Sequence, residues 1–462
     1  IFATSVQKDL HIVVVKEDEQ VLDIIRDVTP EMILEEWVPV DTLIGLRVSI
    51  CNSKGKLLLS WEPEPNEIKE VPEPAKAALD PKDIQTTEQL YLTGLHLEQY
   101  RHATYAATDY YEEALSRDPD DVRNNNAMGL WLIRKGQFAK AEPYLRRAVK
   151  TLTEKNPNPY DGEPLYNLGL SLKYQGKTDE AYDCFYKACW NAAWQDAGYY
   201  SLAQLSASKG NWEDALYEID KSLLRNWHNL RGRHLKAVVL RHLGRVDEAL
   251  DLIRESLAID CFNFGCSFEE YLLTGEKAVL DDLLVRMRSE GHNYEELSLD
   301  YASAGCWEEA LKVVEVAFEV VASERTLLYY YKSWFLLSLG RLKEAEMAIC
   351  VAEHQSADCC FPNALEAIKA LQEVIRFADV VPKAHYYLGN LWYDKRQYPE
   401  AIAEWEKSVE QDDTFPTVLR NLSLAYFNKL DKQQEAVALL ERAFKLDIRD
   451  ARILMELDQL YK

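Results

Sequence analysis

The chain has 462 residues, with 53 Lys+Arg against 77 Asp+Glu and a formal charge of −24. This acidic balance argues against nucleic-acid backbones and anionic membranes as partners, since both need a positive surface; a local basic cleft stays compatible with it. No run of 18 apolar residues occurs, so no membrane-spanning helix is expected.

The first residues, IFATSVQKDLHIVVV, lack the basic head and small-residue cleavage site of a secretory leader. The nine cysteines are scattered and none has CxxC spacing; the adjacent Cys359 and Cys360 have no supporting motif. They read as reduced thiols of a cytoplasmic protein.

Residues 1–61 are β-like. LHIVVV is rich in β-branched residues, and LIGLRVSI, CNSKG and KLLLSW read as strand, turn and strand, with Gly55 supplying a positive φ. Sixty or so residues of strands bury too little to be stable alone. The segment is therefore expected to dock on the rest of the chain, or to be the remnant of a larger β-sandwich domain lying mostly outside this sequence. Residues 62–83, including EPEPNEIKEVPEPAKAALDPK, form a Pro/Glu-rich linker with little to bury.

From residue 84 to 462 the pattern is helical and repeated. A small residue recurs in every second helix at Ala107, Ala141, Ala181, Ala215, Ala249, Ala310, Ala345, Ala401 and Ala436, with spacings of 34, 40, 34, 34, 61, 35, 56 and 35. Each Ala lets two helices approach closely, and a large apolar residue four later, such as Leu145, Phe185, Ile219, Ile253 or Trp405, fills the gap. Gly136, Gly176, Gly210, Gly244, Gly305 and Gly340 end the preceding helix in a left-handed turn. The long spacings place irregular helices near 260–293 and 355–380, an extra pair in the first and one long helix in the second.

A 34-residue helix–turn–helix period resembles the tetratricopeptide repeat family over about residues 88–462. The resemblance implies an all-α fold, a right-handed superhelix of helix pairs with a concave groove, preceded here by a small β segment. The runs LYLTGLHLEQYRHAT, NPNPYDGEPLYNLGLSLKYQG, WNAAWQDAGYYSLAQL, HYYLGNLWYDKRQYPEAI and RNLSLAYFNK also look like a bacterial family. In it, an N-terminal β domain of uncharacterised function, similar to galactose mutarotase-like sandwiches, precedes a long tetratricopeptide region.

The groove-facing positions implied by the repeat family fall on His96, Tyr166, Lys173, Tyr200, Gln204, Arg231, His234, Tyr386, Asn390, Tyr393 and Arg420. Arg241 joins Arg231 and His234 in the most basic patch of the sequence, where Arg offers a fork for a carboxylate or phosphate. The chaperone-binding members of the family use Lys and Asn as a two-carboxylate clamp. Here Asn390 and Asn421 match, but Tyr386 stands in place of Lys and the first repeats hold Leu92, His96 and Ala127, so a chaperone C-terminus is not the expected ligand.

His96 and His102 are six apart, about 240° around a helix, and do not share a face. In the frame set by Ala107, His102 takes the turn position that other repeats give to Gly. There is no HExxH, GxSxG, GxxxxGK[ST] or GxGxxG. No catalytic residue, metal or cofactor is therefore expected. The sequence reads as a non-catalytic scaffold whose groove holds a partner protein, an extended peptide or its own N-terminal domain. The alternative is the accessory or oligomerisation arm of a carbohydrate-active enzyme, with carbohydrate entering through the absent β domain. Self-association through an exposed terminal repeat, giving a homo-oligomer, is a third arrangement.

Overall fold

The structure, a computed structural model, describes residues 1–3, 6–29, 33–64, 74, 76–321, 326–358 and 360–462. Residues 65–73 and 75 of the expected linker, and Cys359, lie outside the described residues. The chain divides into two compact units, residues 1–79 with 223–288, and residues 80–222 with 289–462.

The first unit begins with four antiparallel strands, β1 (Gln7–Lys16), β2 (Glu19–Val28), β3 (Leu46–Cys51) and β4 (Leu57–Trp61), in the order β2-β1-β3-β4. Alternation along β1 buries Leu10, Ile12 and Val14, and Leu10 and Ile12 cluster with Val28 and Ile50. The β3–β4 turn forms as its sequence dictates: Gly55 has φ +76 and donates to the Asn52 carbonyl at 2.8 Å, while Asn52 Oδ1 accepts from the Lys54 and Lys56 amides. β4 leaves Leu57, Leu58, Leu59 and Trp61 all exposed.

Twenty-two α-helices succeed the sheet among the described residues. They run as pairs: α1 (Thr87–Gln99) with α2 (Ala107–Arg117), α3 (Val122–Arg134) with α4 (Phe138–Thr153), α5 (Glu163–Tyr174) with α6 (Thr178–Ala188), and α7 (Gln195–Ser208) with α8 (Trp212–Arg225). Next come α9 (Leu230–His242) with α10 (Val246–Ile259), α11 (Phe264–Thr274) with α12 (Lys277–Met287), α13 (Gly291–Ser303) with α14 (Trp307–Val320), and α15 (Thr326–Ser338) with α16 (Leu342–His354). The single helix α17 (Leu365–Phe377) precedes α18 (Pro382–Asp394) with α19 (Tyr398–Gln411) and α20 (Pro416–Leu430) with α21 (Gln433–Leu446), and α22 (Ala451–Leu460) ends the series. The fold is all-α, a solenoid of helix pairs with a small N-terminal sheet.

The marker alanines are fully buried from Ala141 to Ala436, and Ala107 nearly so. What they make room for is visible at Gly169, where an added Cβ would stand 2.6 Å from the Phe185 ring, itself fully buried. The turn between α3 and α4 shows how the glycines close a helix. The Gly136 amide donates to the Ile133 carbonyl at 2.8 Å and the Gln137 amide to Leu132 at 2.9 Å, with Gly136 at φ +75. In the first repeat the left-handed residue is Arg101, φ +49, whose amide donates to Glu98 while that of His102 donates to Leu97. His102 is thus one place past the turn position expected for it, because the turn 100–106 is longer than its counterparts. At α18 the same position is Arg396, φ +60.

Several side chains tie helices to backbone elsewhere. The Arg117 guanidinium donates to the Pro81, Lys82, Ile84 and Gln85 carbonyls, which fastens the approach to α1. The α18 N-terminus has no capping side chain of its own; Glu353 of α16 accepts from the Lys383 and Ala384 amides and from the Tyr330 hydroxyl.

Candidate functional site

The twelve candidate residues fall into separate groups. His96 is exposed on α1, its ring 4.5 Å from that of Tyr100. Tyr166 is partly buried, its ring 4.9 Å from Trp194 and 5.4 Å from Phe185, and burial raises its phenol pKa. Tyr200 is partly buried on α7. Lys173 and Gln204 meet directly: the Lys173 ammonium donates to Gln204 Oε1 at 2.6 Å, and Gln204 Nε2 donates to Ser303 Oγ at 2.7 Å. Burial pushes the Lys173 ammonium down to about 8, with Glu366 opposing the shift and Lys369 adding to it.

Arg231, His234 and Arg241 lie on α9. Arg231 is exposed and Arg241 is partly buried, its guanidinium forked onto Glu269 at 2.7 and 3.2 Å. That carboxylate is fully buried, so the pair neutralises a charge that burial alone would not tolerate. His234 is buried against the α11 backbone, where a Cβ added at Gly265 would stand 2.3 Å from its ring. Burial first, then Arg241 and Arg231, push its imidazole down to about 3.

Tyr386, Asn390, Tyr393 and Arg420 form a third group. Tyr386 is 6% exposed and packs edge-on against Phe415. Asn390 Oδ1 accepts from the Trp405 indole at 3.1 Å and from Asn421 at 3.2 Å. Tyr393 packs on Tyr398 and Trp405, and Arg420 grips Glu456 with both arms of its fork. Helical spacing places these residues on their helices and faces but does not name their partners, which come from neighbouring helices.

The second unit also holds contacts between helices far apart in sequence. Lys140 Nζ donates to Glu400 at 2.6 Å, the Tyr174 hydroxyl to Glu366 at 2.9 Å, and Gln204 Nε2 to Ser303 at 2.7 Å. A Cβ on Gly136 would collide with Ile368 and Trp392, so α17 and α18 lie against the α3–α4 turn. Nothing in a periodic pattern marks such pairs.

An open apolar furrow of about 450 Å³ lies between α19, α20 and α21. Val409, Leu422, Ala438 and Leu439 line it, and Glu406, Glu410, Glu435 and Arg442 stand at its edges. Among the described residues no helix is long and apolar enough to cross a membrane, and the eight described cysteines are all unbridged.

Residues 1–61 match the family described as YphG-like protein, second domain. Residues 162–189 and 382–415 match tetratricopeptide repeat families. Tetratricopeptide repeat protein 7A of Homo sapiens is 34% identical over 99 residues, 21% of this chain; the chain covers 11% of that relative's length. Among solved structures, Naa15/Naa10 bound to HypK-THB aligns with 81% of this chain and 65% of its own, at 12% identity and a TM-score of 0.30. A tetratricopeptide repeat protein from Parabacteroides merdae aligns with 68% of this chain and 98% of its own, at 15% identity and a TM-score of 0.28. The chain carries tetratricopeptide repeats, stacked as an α-solenoid with a small N-terminal β sheet.

Proposed function

We propose that this chain is a non-catalytic binding scaffold whose helices hold a partner protein or an extended peptide. The observation that supports it best is the furrow between α19, α20 and α21, with apolar walls and three carboxylates against one guanidinium at its edges. Apolar surface left open beside polar groups favours a ligand that covers it, and the acidic edge selects a peptide with a basic residue beside its apolar anchor. His96, Tyr200, Tyr393 and Arg420, in the same unit as the furrow, are further contacts in this reading, since each keeps part of its side chain in solvent.

A peptide array probed with the whole chain tests this. Peptides with an aromatic or aliphatic anchor flanked by Lys or Arg are expected to be retained, and Ala438→Arg, at an exposed position on the furrow wall, to abolish retention. Equal retention by that variant sinks the assignment of the furrow.

A second reading makes the array the accessory arm of a carbohydrate-active enzyme. The exposed Leu57, Leu58, Leu59 and Trp61 of β4 support it, because a strand so apolar calls for cover. Turnover of a sugar by this chain joined to a further β domain, with none by the chain alone, would favour that reading.

A further inference from the structure

A second hollow in the same unit has the opposite character to the furrow. It is a cleft of about 630 Å³ where the α1–α2 turn, the end of α3 and the end of α18 converge. Its walls carry Arg101, Arg134, Lys135, Lys395 and Arg396 against two carboxylates, Glu98 and Asp394. In a chain of formal charge −24 this is a strongly positive place.

The two carboxylates are taken. Glu98 pairs with Arg134 and accepts from the Tyr111 hydroxyl, and Asp394 lies 3.3 Å from Lys395. Among the described residues Arg101, Lys135 and Arg396 form no ion pair. The cations press on one another: burial, then Arg396 and Lys395, lower the Lys135 ammonium pKa. The N-terminus of α2 lines the same cleft through Ala106, Ala107 and Thr108, and no side chain caps it. His102 Nδ1 accepts from the Thr104 and Tyr105 amides at 3.2 Å, which leaves the Nε2 nitrogen to carry the proton of the neutral ring.

Two of the arginines are informative by position. Arg101 and Arg396 both sit at the left-handed closing residue of a helix, with φ +49 and +60. Seven other turns put glycine there, at residues 136, 176, 210, 244, 275, 305 and 340. Glycine would satisfy the same carbonyls without strain, and cations complement helix C-termini from unstrained positions as well. Helix closure alone does not call for arginine at both places, and both of these arginines line the one hollow. Asp431, at the end of α20, has the same backbone outside the cleft, and Arg288, at the end of α12, also has a positive φ there, +57.

We propose that this cleft binds a small molecule carrying a diphosphate group, gripped by Arg101, Lys135, Lys395 and Arg396 with the α2 N-terminus. Three cation-bearing turns spaced around one hollow suit an anion with charge on two centres better than a single phosphate. Arginine forks match phosphate oxygens, and backbone amides at a helix start add to them. The hollow has room beyond the diphosphate for an organic remainder.

The test is calorimetric titration of the whole chain with inorganic pyrophosphate at low ionic strength, with citrate as the carboxylate control. Saturable binding of pyrophosphate is expected below about 1 mM, weakening with added salt and at least tenfold tighter than citrate. The double substitution Arg101→Gly with Arg396→Gly is expected to melt no lower than the parent, because it removes two strained residues, and to bind pyrophosphate at least tenfold more weakly. If that variant fails to fold, Lys395→Glu is expected to show the same loss. The proposal is overturned by absence of pyrophosphate binding, by citrate binding as tightly, or by affinity within twofold of the parent in a folded variant.

Discussion

Glu353 stands one hydrogen bond from the Lys383 amide, at 2.8 Å, and so caps a helix it does not belong to. The same carboxylate takes the Ala384 amide and the hydroxyl of Tyr330, a fully buried residue. Glu353→Ala leaves three donors without a partner, at a cost of about 2 kcal/mol or more. Urea unfolding should show that loss, and Glu353→Gln, which keeps an acceptor oxygen, should recover part of it.

Gly389 is held against Trp405 for a different reason. A Cβ there would stand 2.4 Å from the indole, which is fixed by its bonds to the Tyr386 carbonyl and Asn390. Gly389→Ala is expected to cost about 1–3 kcal/mol through overpacking. At Gly176 nothing lies within 4 Å of an added Cβ, but φ is +77. Gly176→Ala should cost about 1 kcal/mol through backbone strain alone, and thermal melts of the two variants would separate packing from conformation.

Lys173 links stability to alkaline pH. Its folded pKa, about 8, is depressed from the usual 10.5, so the unfolded chain holds the proton between those values and the folded chain does not. Stability from this residue therefore rises as pH climbs from about 8 to 10.5 and is flat below. The difference in unfolding free energy between parent and Lys173→Met, measured in urea at pH 7.5 and pH 10, is expected to grow by on the order of 2 kcal/mol in favour of the parent. An unchanged difference would remove the assignment.

Glu142 acts at the acidic end. Burial alone would raise its pKa, yet hydrogen bonds from Lys177, Arg146 and Gln175 hold it down at about 2. Its contribution is complete above about 4.5 and is lost as pH falls through 2. Glu142→Gln should flatten the acid limb of the stability curve between these values, seen by circular dichroism at a fixed urea concentration.

The repeat was legible because its causes are local. Ala141, Ala181 and their equivalents mark helix crossings, and glycines mark turns, at positions a period reveals. The hairpin at Asn52–Gly55 was legible for the same reason. What Tyr386 and His234 touch was not, since one rests on Phe415 and the other on the backbone at Gly265, and helical spacing gives a face without its occupant. The cleft was hidden most deeply. Arg101 and Arg396 are nearly 300 residues apart in sequence, and the visible signal near the first was a pair of histidines. The cue available was arginine in place of glycine at these two turns, legible only once the other turns are aligned.

The bonds from Tyr174 to Glu366 and from Lys140 to Glu400 alter how the second unit comes apart. A stack whose repeats touch only their neighbours can fray from either end, one layer at a time. Here α5 answers to α17, and α4 to α19, across about 200 residues and more of intervening chain. Closing so long a loop is entropically costly and slow, but once made it ties the melting of early and late layers together. The unit should then lose structure in a single step, and Tyr174→Phe with Lys140→Ala, which removes both bonds, should broaden that step in a melt followed by circular dichroism.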